Sequence, residues 1–256
     1  MEFSRKQIED LLVQIYSGEI SVRNLPVNLV YAIYEYLDSA VDIGLSAYNV
    51  AASFQTELST NVFLFSSAKT FNFVLSTRGL IYEEGRIIPL NEFKKRAKQN
   101  YELYNDTWLE AEYNTTLGTA QNAGHWHTMT NNRGAGQYLK YDAILDMQTS
   151  DICRPLDGIV RHMDDPFWNT HMSPNHYNCR CTVQQVQGPE TNSTEVIEAT
   201  QKVDPLMNEV FKTNAGKTKK IFDENHPYFQ VANEYKALAR SNFNVPIPKT
   251  LLQDGQ

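Results

Sequence analysis

The sequence predicts an α+β protein: a helix-rich N-terminal region, followed by a small mixed domain with a few strands and a Cys/His-rich loop. Three observations carry this. Apolar residues recur at helical spacing through most of the first half, alternating stretches appear only from Tyr138 onward, and all three cysteines lie after the first of those stretches.

Residues 3–16 place Phe3, Ile8, Leu11, Leu12 and Ile15 on one side of an amphipathic helix. After Pro26, the stretch from Val27 to Val50 repeats the spacing with Leu29, Val30, Ile33, Leu37, Val41, Leu45 and Tyr48, and a third helix is predicted over Val62 to Leu80. The longest helical region starts at Asn91 and runs past Trp108 and Trp126 to a turn at Asn131-Asn-Arg-Gly-Ala-Gly136. Within it Tyr113, Leu117, Ala120 and Gly124 form a stripe whose small residues permit close approach of another helix or of the Cys/His loop, while Asn114, Thr115, Thr119, Gln121 and Asn122 would need polar partners. His125 and His127, two apart on a helix, point to different sides and are not paired as ligands.

Tyr138 to Leu145 and Arg180 to Val186 approximate strand alternation. Gly188-Pro-Glu-Thr-Asn-Ser-Thr reads as a linker, and a helix-forming patch from Glu195 to Phe211 is interrupted at Asp204-Pro205. The expected division is 1–92 as a helical region, 93–187 as the mixed domain, and 188–256 as linker and tail.

Composition excludes several classes. The chain has 256 residues, a net charge of −7 and a pI near 5.4, which argues against a broad grip on nucleic-acid phosphates. The N-terminus offers neither a signal-peptide core nor a spanning segment, so a cytosolic protein without a membrane partner is expected. Three cysteines do not make the even framework of a secreted disulfide scaffold. No Gly-rich phosphate cradle is present, since Gly134-Ala-Gly136 is too short, and no nucleotide cofactor is expected.

Asp151 to Thr182 gathers three Cys, three His and four Asp. Thiolate and imidazole are the ligands zinc prefers, so the candidate ligands are Cys153, His171, His176, Cys179 and Cys181, and zinc is the one cofactor these residue types suit. His176 and Cys179 have the compact spacing of a metal knuckle. Cys179 and Cys181 on one extended strand would stand roughly 6.5–7 Å apart and share an ion only if the backbone bends. The fourth ligand stays open between His171 and Cys181, and so does a metal-free reading in which Cys packs as a small hydrophobe and His donates to loop carbonyls. Leu156-Asp-Gly158 reads as a tight turn in which Asp157 caps and Gly158 supplies positive φ, and Asp165-Pro-Phe-Trp168 as a turn with an aromatic anchor. A hydrolase would use Cys153 or Cys179 as nucleophile, His162 or His176 as base and Asp157 or Asp164 as orienting group, or else a metal on Asp164, Asp165 and His171.

Several blocks agree in order with a known family. Tyr113-Asn114-Thr-Thr-Leu-Gly-Thr-Ala-Gln-Asn-Ala-Gly124 with Trp126, then Tyr138-Leu-Lys-Tyr141, Arg154-Pro-Leu156-Asp157-Gly158, Asp165-Pro-Phe-Trp168, and Pro174-Asn175 leading to Asn178-Cys-Arg180-Cys181, together resemble the phage Mu F-like head morphogenesis domain. The resemblance covers roughly Phe93 to Val186, and Phe211-Lys-Thr-Asn-Ala-Gly216, Ile221-Phe222 and His226-Pro-Tyr-Phe229 look like the tail of Mu-like members. It implies a minor capsid protein, not an enzyme, made in the host cytoplasm and carried in the virion at the head interior or portal vertex. Its partners would be portal and capsid proteins, with packaged DNA as a further one. Some relatives carry Cys-x-x-Cys where this chain has Cys153-Arg-Pro-Leu156, which removes one potential thiolate. The competing readings are a zinc- or cysteine-dependent hydrolase centred on 151–182, and an internal DNA-associated protein using Lys217, Lys219 and Lys220.

Overall fold

The computed structural model describes residues 4–135 and 137–252; the expectations that touched Phe3 and Gly136 lie outside the described residues. The chain divides into two compact units. One holds the residues up to 38, 59–112 and those from 227 on; the other holds 39–58 and 113–226.

In the first unit, helix α1 (Arg5–Ser17) begins with a capping box: Gln7 N–H donates to Ser4 Oγ and Ser4 N–H to Gln7 Oε1, so two orphan donors are satisfied. It ends where Gly18 takes φ 87°, a conformation glycine adopts without a Cβ clash. Helices α2 (Val27–Leu45) and α3 (Ala52–Gly79) contribute residues to both units. Helix α3 starts ten residues before its expected start at Val62, because Phe54 and Leu58, both buried, extend the apolar stripe by i, i+4 steps. A hairpin of β1 (Tyr82–Glu83) and β2 (Arg86–Ile87) turns at Glu84-Gly85 with positive φ at both residues. Helix α4 (Leu90–Glu102) passes through a π-helical turn at Leu103–Thr107 into α5 (Trp108–Asn131), so the long helical region is present but locally unwound, with Asn105 Nδ2 donating to Tyr101 O. The aromatic core includes Tyr34 against Phe63, Phe73 against Tyr101, and Phe71 stacked on Phe243. Inside it Lys69 is fully buried and paired with Glu112.

The second unit is two-layered. Strands β3 (Tyr138–Asp142), β4 (Val160–His162) and β5 (Thr182–Val186) form an antiparallel sheet in the order β4-β3-β5. Leu139 and Tyr141 of β3 and Val183 of β5 point inward, against Trp126 and Met129 of α5, Trp168 of the one-turn helix α6 (Phe167–Thr170), and Val203 of α7 (Ser193–Val203). Strand β3 stops short of the predicted Leu145 because Asp157 Oδ1 takes the Ala143 N–H out of the ladder. Strand β5 begins at Thr182, not Arg180. Strand β4 was too short to show alternation in the sequence. Helix α7, N-capped by Asn192, ends at Asp204-Pro205 as expected, but the patch beyond it is a 3-10 turn at Glu209–Phe211. Beyond α7 the described residues form short helical turns, among them α8 (Ala215–Thr218) and α9 (Lys236–Arg240).

Candidate metal centre

Three chain segments converge beside the Asp142 end of β3. The first is the 3-10 turn Arg154–Leu156, preceded by Cys153, whose N–H donates to Ser150 Oγ at 3.1 Å. The second is the turn from His176 to Cys179, closed by a Cys179 N–H bond to His176 O at 3.3 Å. Asn178 occupies its left-handed position at φ 58°, which Asn tolerates better than other side chains that carry a Cβ. The third is Cys181, directly before β5, whose carbonyl accepts from Ser173 Oγ at 2.6 Å.

The three sulfur atoms lie within 4.8 Å of one another, and Cys153 Sγ is 3.6 Å from Cys179 Sγ. All three are free thiols; Cys153 and Cys181 are buried and Cys179 is half-buried. Polar hydrogens surround them. Asn175 N–H donates to Cys179, Ser173 Oγ lies 3.6 Å from Cys179 Sγ, Ser150 bonds the Cys153 thiol, and Tyr141 Oη is 3.3 Å from Cys153 Sγ and 2.8 Å from Asn175 Oδ1. The His176 ring bonds the Cys179 side chain, and its Nδ1 lies 2.8 Å from Tyr177 O.

These contacts polarise the group. Donation from the Cys153 and Cys181 thiols, with His176 and the Asn175 N–H adding to it, holds Cys179 far below the usual thiol range as a thiolate. Cys153 is pushed up chiefly by its bond to Cys179, and Cys181 by its bonds to Cys153 and Cys179. His176 is raised by the Cys179 bond, and Tyr141 by burial and the neighbouring sulfurs. Such a group can bind a soft cation or exchange thiols, both of which use the thiolate.

His171 does not join it, which removes it from the expected ligand set. Its Nε2 is 3.0 Å from Asp204 Oδ1, its Nδ1 2.9 Å from Thr170 Oγ1, and its ring stacks on Phe167 at 4.7 Å, so both nitrogens are engaged elsewhere. The hydrolase constellations are also scattered. Asp164 pairs with Arg133, Asp165 with Arg161, and His162 Nε2 with Gln137, while Asp157 accepts the Ala143 N–H. Only His176 with Cys179 survives of the proposed base and nucleophile pairs.

The remaining motif residues serve as scaffold. Leu156 is fully buried, and Gly158 at φ 77° donates its N–H to Tyr141 O. Buried Pro174 follows a cis peptide bond. Asn114 Nδ2 donates to Asn178 Oδ1 at 3.1 Å, tying α5 to the turn. Trp126 is buried and carries Lys217 Nζ 4.8 Å above its ring, and Gly124 lies against Tyr48. Tyr113, on the same helix, is half-buried. Arg180 Nη2 reaches both oxygens of Asp146 at 2.8 Å and draws that carboxyl down to about 2. Lys217, Lys219 and Lys220 contact Asn169, Phe54 and Glu224 respectively. Sequence reasoning missed Tyr141, Ser150, Ser173 and Asp204, because hydroxyl and carboxylate partners at separations from 3 to 34 residues leave no local pattern.

Residues 86–184 match the family model described as Phage Mu protein F like protein. The chain is 37% identical over 83 residues to the putative capsid assembly protein F of Escherichia phage Mu, covering 32% of this chain and 19% of that protein. It is 30% identical over 112 residues to the Mu-like prophage FluMu F protein of Haemophilus influenzae, covering 40% of this chain and 27% of that one. No solved structure matches it significantly. The matched segment holds α4, α5, the three-stranded sheet up to Gln184 and every cysteine. By motif order and by these matches, residues 86–184 are similar to the phage Mu F-like family.

Proposed function

We propose that this chain is a minor head protein of a phage or prophage, which works in head assembly by docking on the portal or the inner capsid surface. The match of residues 86–184 carries the reading, supported by the name of the phage Mu relative, a putative capsid assembly protein. Both matches span under a third of the relatives' lengths, so the role of the whole protein is inferred from this segment.

An exposed apolar loop supports the docking reading. The loop from Ile144 to Thr149 presents Ile144, Leu145 and Met147 to solvent, the last fully exposed. It is nevertheless held in shape, since Asp146 accepts from Gln148 N–H and from Arg180 and its backbone carbonyl from Arg154. Apolar side chains on a preordered turn bind with little ordering cost. This reading makes the protein a binding component and not a catalyst, in keeping with the scattering of the candidate hydrolase residues Asp157, His162, Asp164 and Asp165.

Coexpression with the portal and major capsid proteins of the same phage should retain this chain on one of them, and its deletion should leave non-infectious heads. Retention on neither, with infectious particles at the parental yield after deletion, would sink the reading. A hydrolase reading is favoured by the His176–Cys179 contact alone; it requires a substrate activity lost in Cys179→Ser while heads still assemble.

A further inference from the structure

We propose that Cys153, Cys179 and Cys181, with His176 as fourth ligand, bind one zinc ion as a closed structural site. The inference stands on the geometry of the thiols and does not depend on the head-assembly reading.

Zinc–sulfur bonds of about 2.3 Å in tetrahedral geometry place ligand sulfurs about 3.8 Å apart. The three thiols already lie within 4.8 Å of one another, and the Cys153–Cys179 separation of 3.6 Å is near that tetrahedral edge. The same separation is far longer than the ~2.05 Å of a disulfide. These sulfurs come from three segments that share no continuous secondary structure: the turn at 153, the turn at 176–179, and the start of β5. An ion there joins what the short β4 and the one-turn α6 cannot.

The outer shell is also in place. Asn175 N–H and the Ser150 hydroxyl are directed at the sulfurs, as partners that stabilise metal thiolates are, and Ser173, whose hydroxyl donates to Cys181 O, fixes the chain beside them. His176 Nδ1 lies 2.8 Å from Tyr177 O and donates to that carbonyl, so the other ring nitrogen, which faces Cys179 here, is the one that would take a metal in place of its proton, the usual arrangement of a ligating imidazole. The left-handed Asn178 bends the chain so that residues 176 and 179 serve one site. A small pocket bordered by Thr149, Cys153, His176, Arg180 and Cys181 gives an entry path from solvent. His171 is excluded, because Asp204 and Thr170 hold both its nitrogens.

The test uses the full chain, purified under reducing conditions. Elemental analysis should find about one zinc per chain, and the metal-stripped protein titrated with cobalt(II) should develop thiolate-to-metal charge-transfer absorption with d–d bands of tetrahedral intensity. Cys179→Ser should lose that spectrum. His176→Ala should bind cobalt more than about tenfold weaker, since loss of even an outer-shell partner costs that much. His171→Gln should match the parent in stoichiometry and affinity. A folded, reduced parent with three titratable thiols, no zinc and no tetrahedral cobalt spectrum overturns the proposal, as does a native Cys153–Cys179 disulfide. Loss of metal in His171→Gln with retention in His176→Ala overturns the ligand set. If Cys179→Ser does not fold, the cobalt titration of the parent still decides.

Discussion

Gly44 and Gly124 occupy places where a methyl group has nowhere to go. A Cβ at Gly44 would lie 2.8 Å from Leu117 O and 2.9 Å from the Ala120 Cβ, and one at Gly124 would lie 2.5 Å from the Tyr48 ring. The stripe Tyr113, Leu117, Ala120 and Gly124 therefore lets the end of α2 and the Tyr48 turn approach α5 closely. Gly44→Ala, which meets backbone, should destabilise by about 1–3 kcal/mol, as overpacking does, despite alanine's higher helix propensity. Urea unfolding would measure it, and a more stable variant would refute the close approach. Lys69 and Glu112 show a different residue-scale effect. Burial outweighs the attraction of Lys69 and lifts the Glu112 carboxyl from 4.5 to about 7, while burial lowers Lys69. Between those two pH values the folded protein keeps a proton that the unfolded chain releases. The contribution is therefore full below 4.5 and is lost as pH rises through about 7. The unfolding free energy of the parent relative to Glu112→Gln should fall by on the order of 1–3 kcal/mol across that window. A difference independent of pH would show that Glu112 is ionised throughout.

At the scale of elements, hydrogen bonds to side chains decide where strands and turns end. Asp157 Oδ1 takes the Ala143 N–H at 2.9 Å and so both terminates β3 and fastens the turn before Gly158. Asp157→Ala should cost about 1–3 kcal/mol, the penalty for leaving a half-buried donor unsatisfied, and should speed amide exchange at Ala143 and Gly158. Unchanged exchange at both positions would contradict this role. The Leu-Asp-Gly turn was legible in the sequence, but its partner was not, because the acceptor and donor are separated by 14 residues. The early start of α3 was legible in principle: Phe54, Leu58 and Val62 keep a four-residue step that the polar residues between them obscure.

For the molecule as a whole, the exposed loop at 144–149 is where the proposed docking can be tested apart from folding. Met147→Asp, at a fully exposed side chain, should leave the melting temperature within about a degree or two of the parent, as surface substitutions do, while lowering retention on the portal or capsid partner severalfold. Equal retention would place the docking surface elsewhere. The helix-rich first half, the two longer strands and the family likeness of residues 86–184 could all be read from the sequence, because hydrophobic period and ordered motif blocks are local properties of the chain. The crowding of Cys and His into 32 residues likewise marked the site. Only the tertiary structure decided which of them meet. It brought Cys153, 26 residues away, to 3.6 Å from Cys179, held the buried His171 away from them on Asp204, and supplied the buried Lys69–Glu112 pair. The physical reason is that ligand and ion-pair geometry depends on through-space distances set by packing and backbone turns, whereas sequence spacing constrains only residues within a few positions of each other.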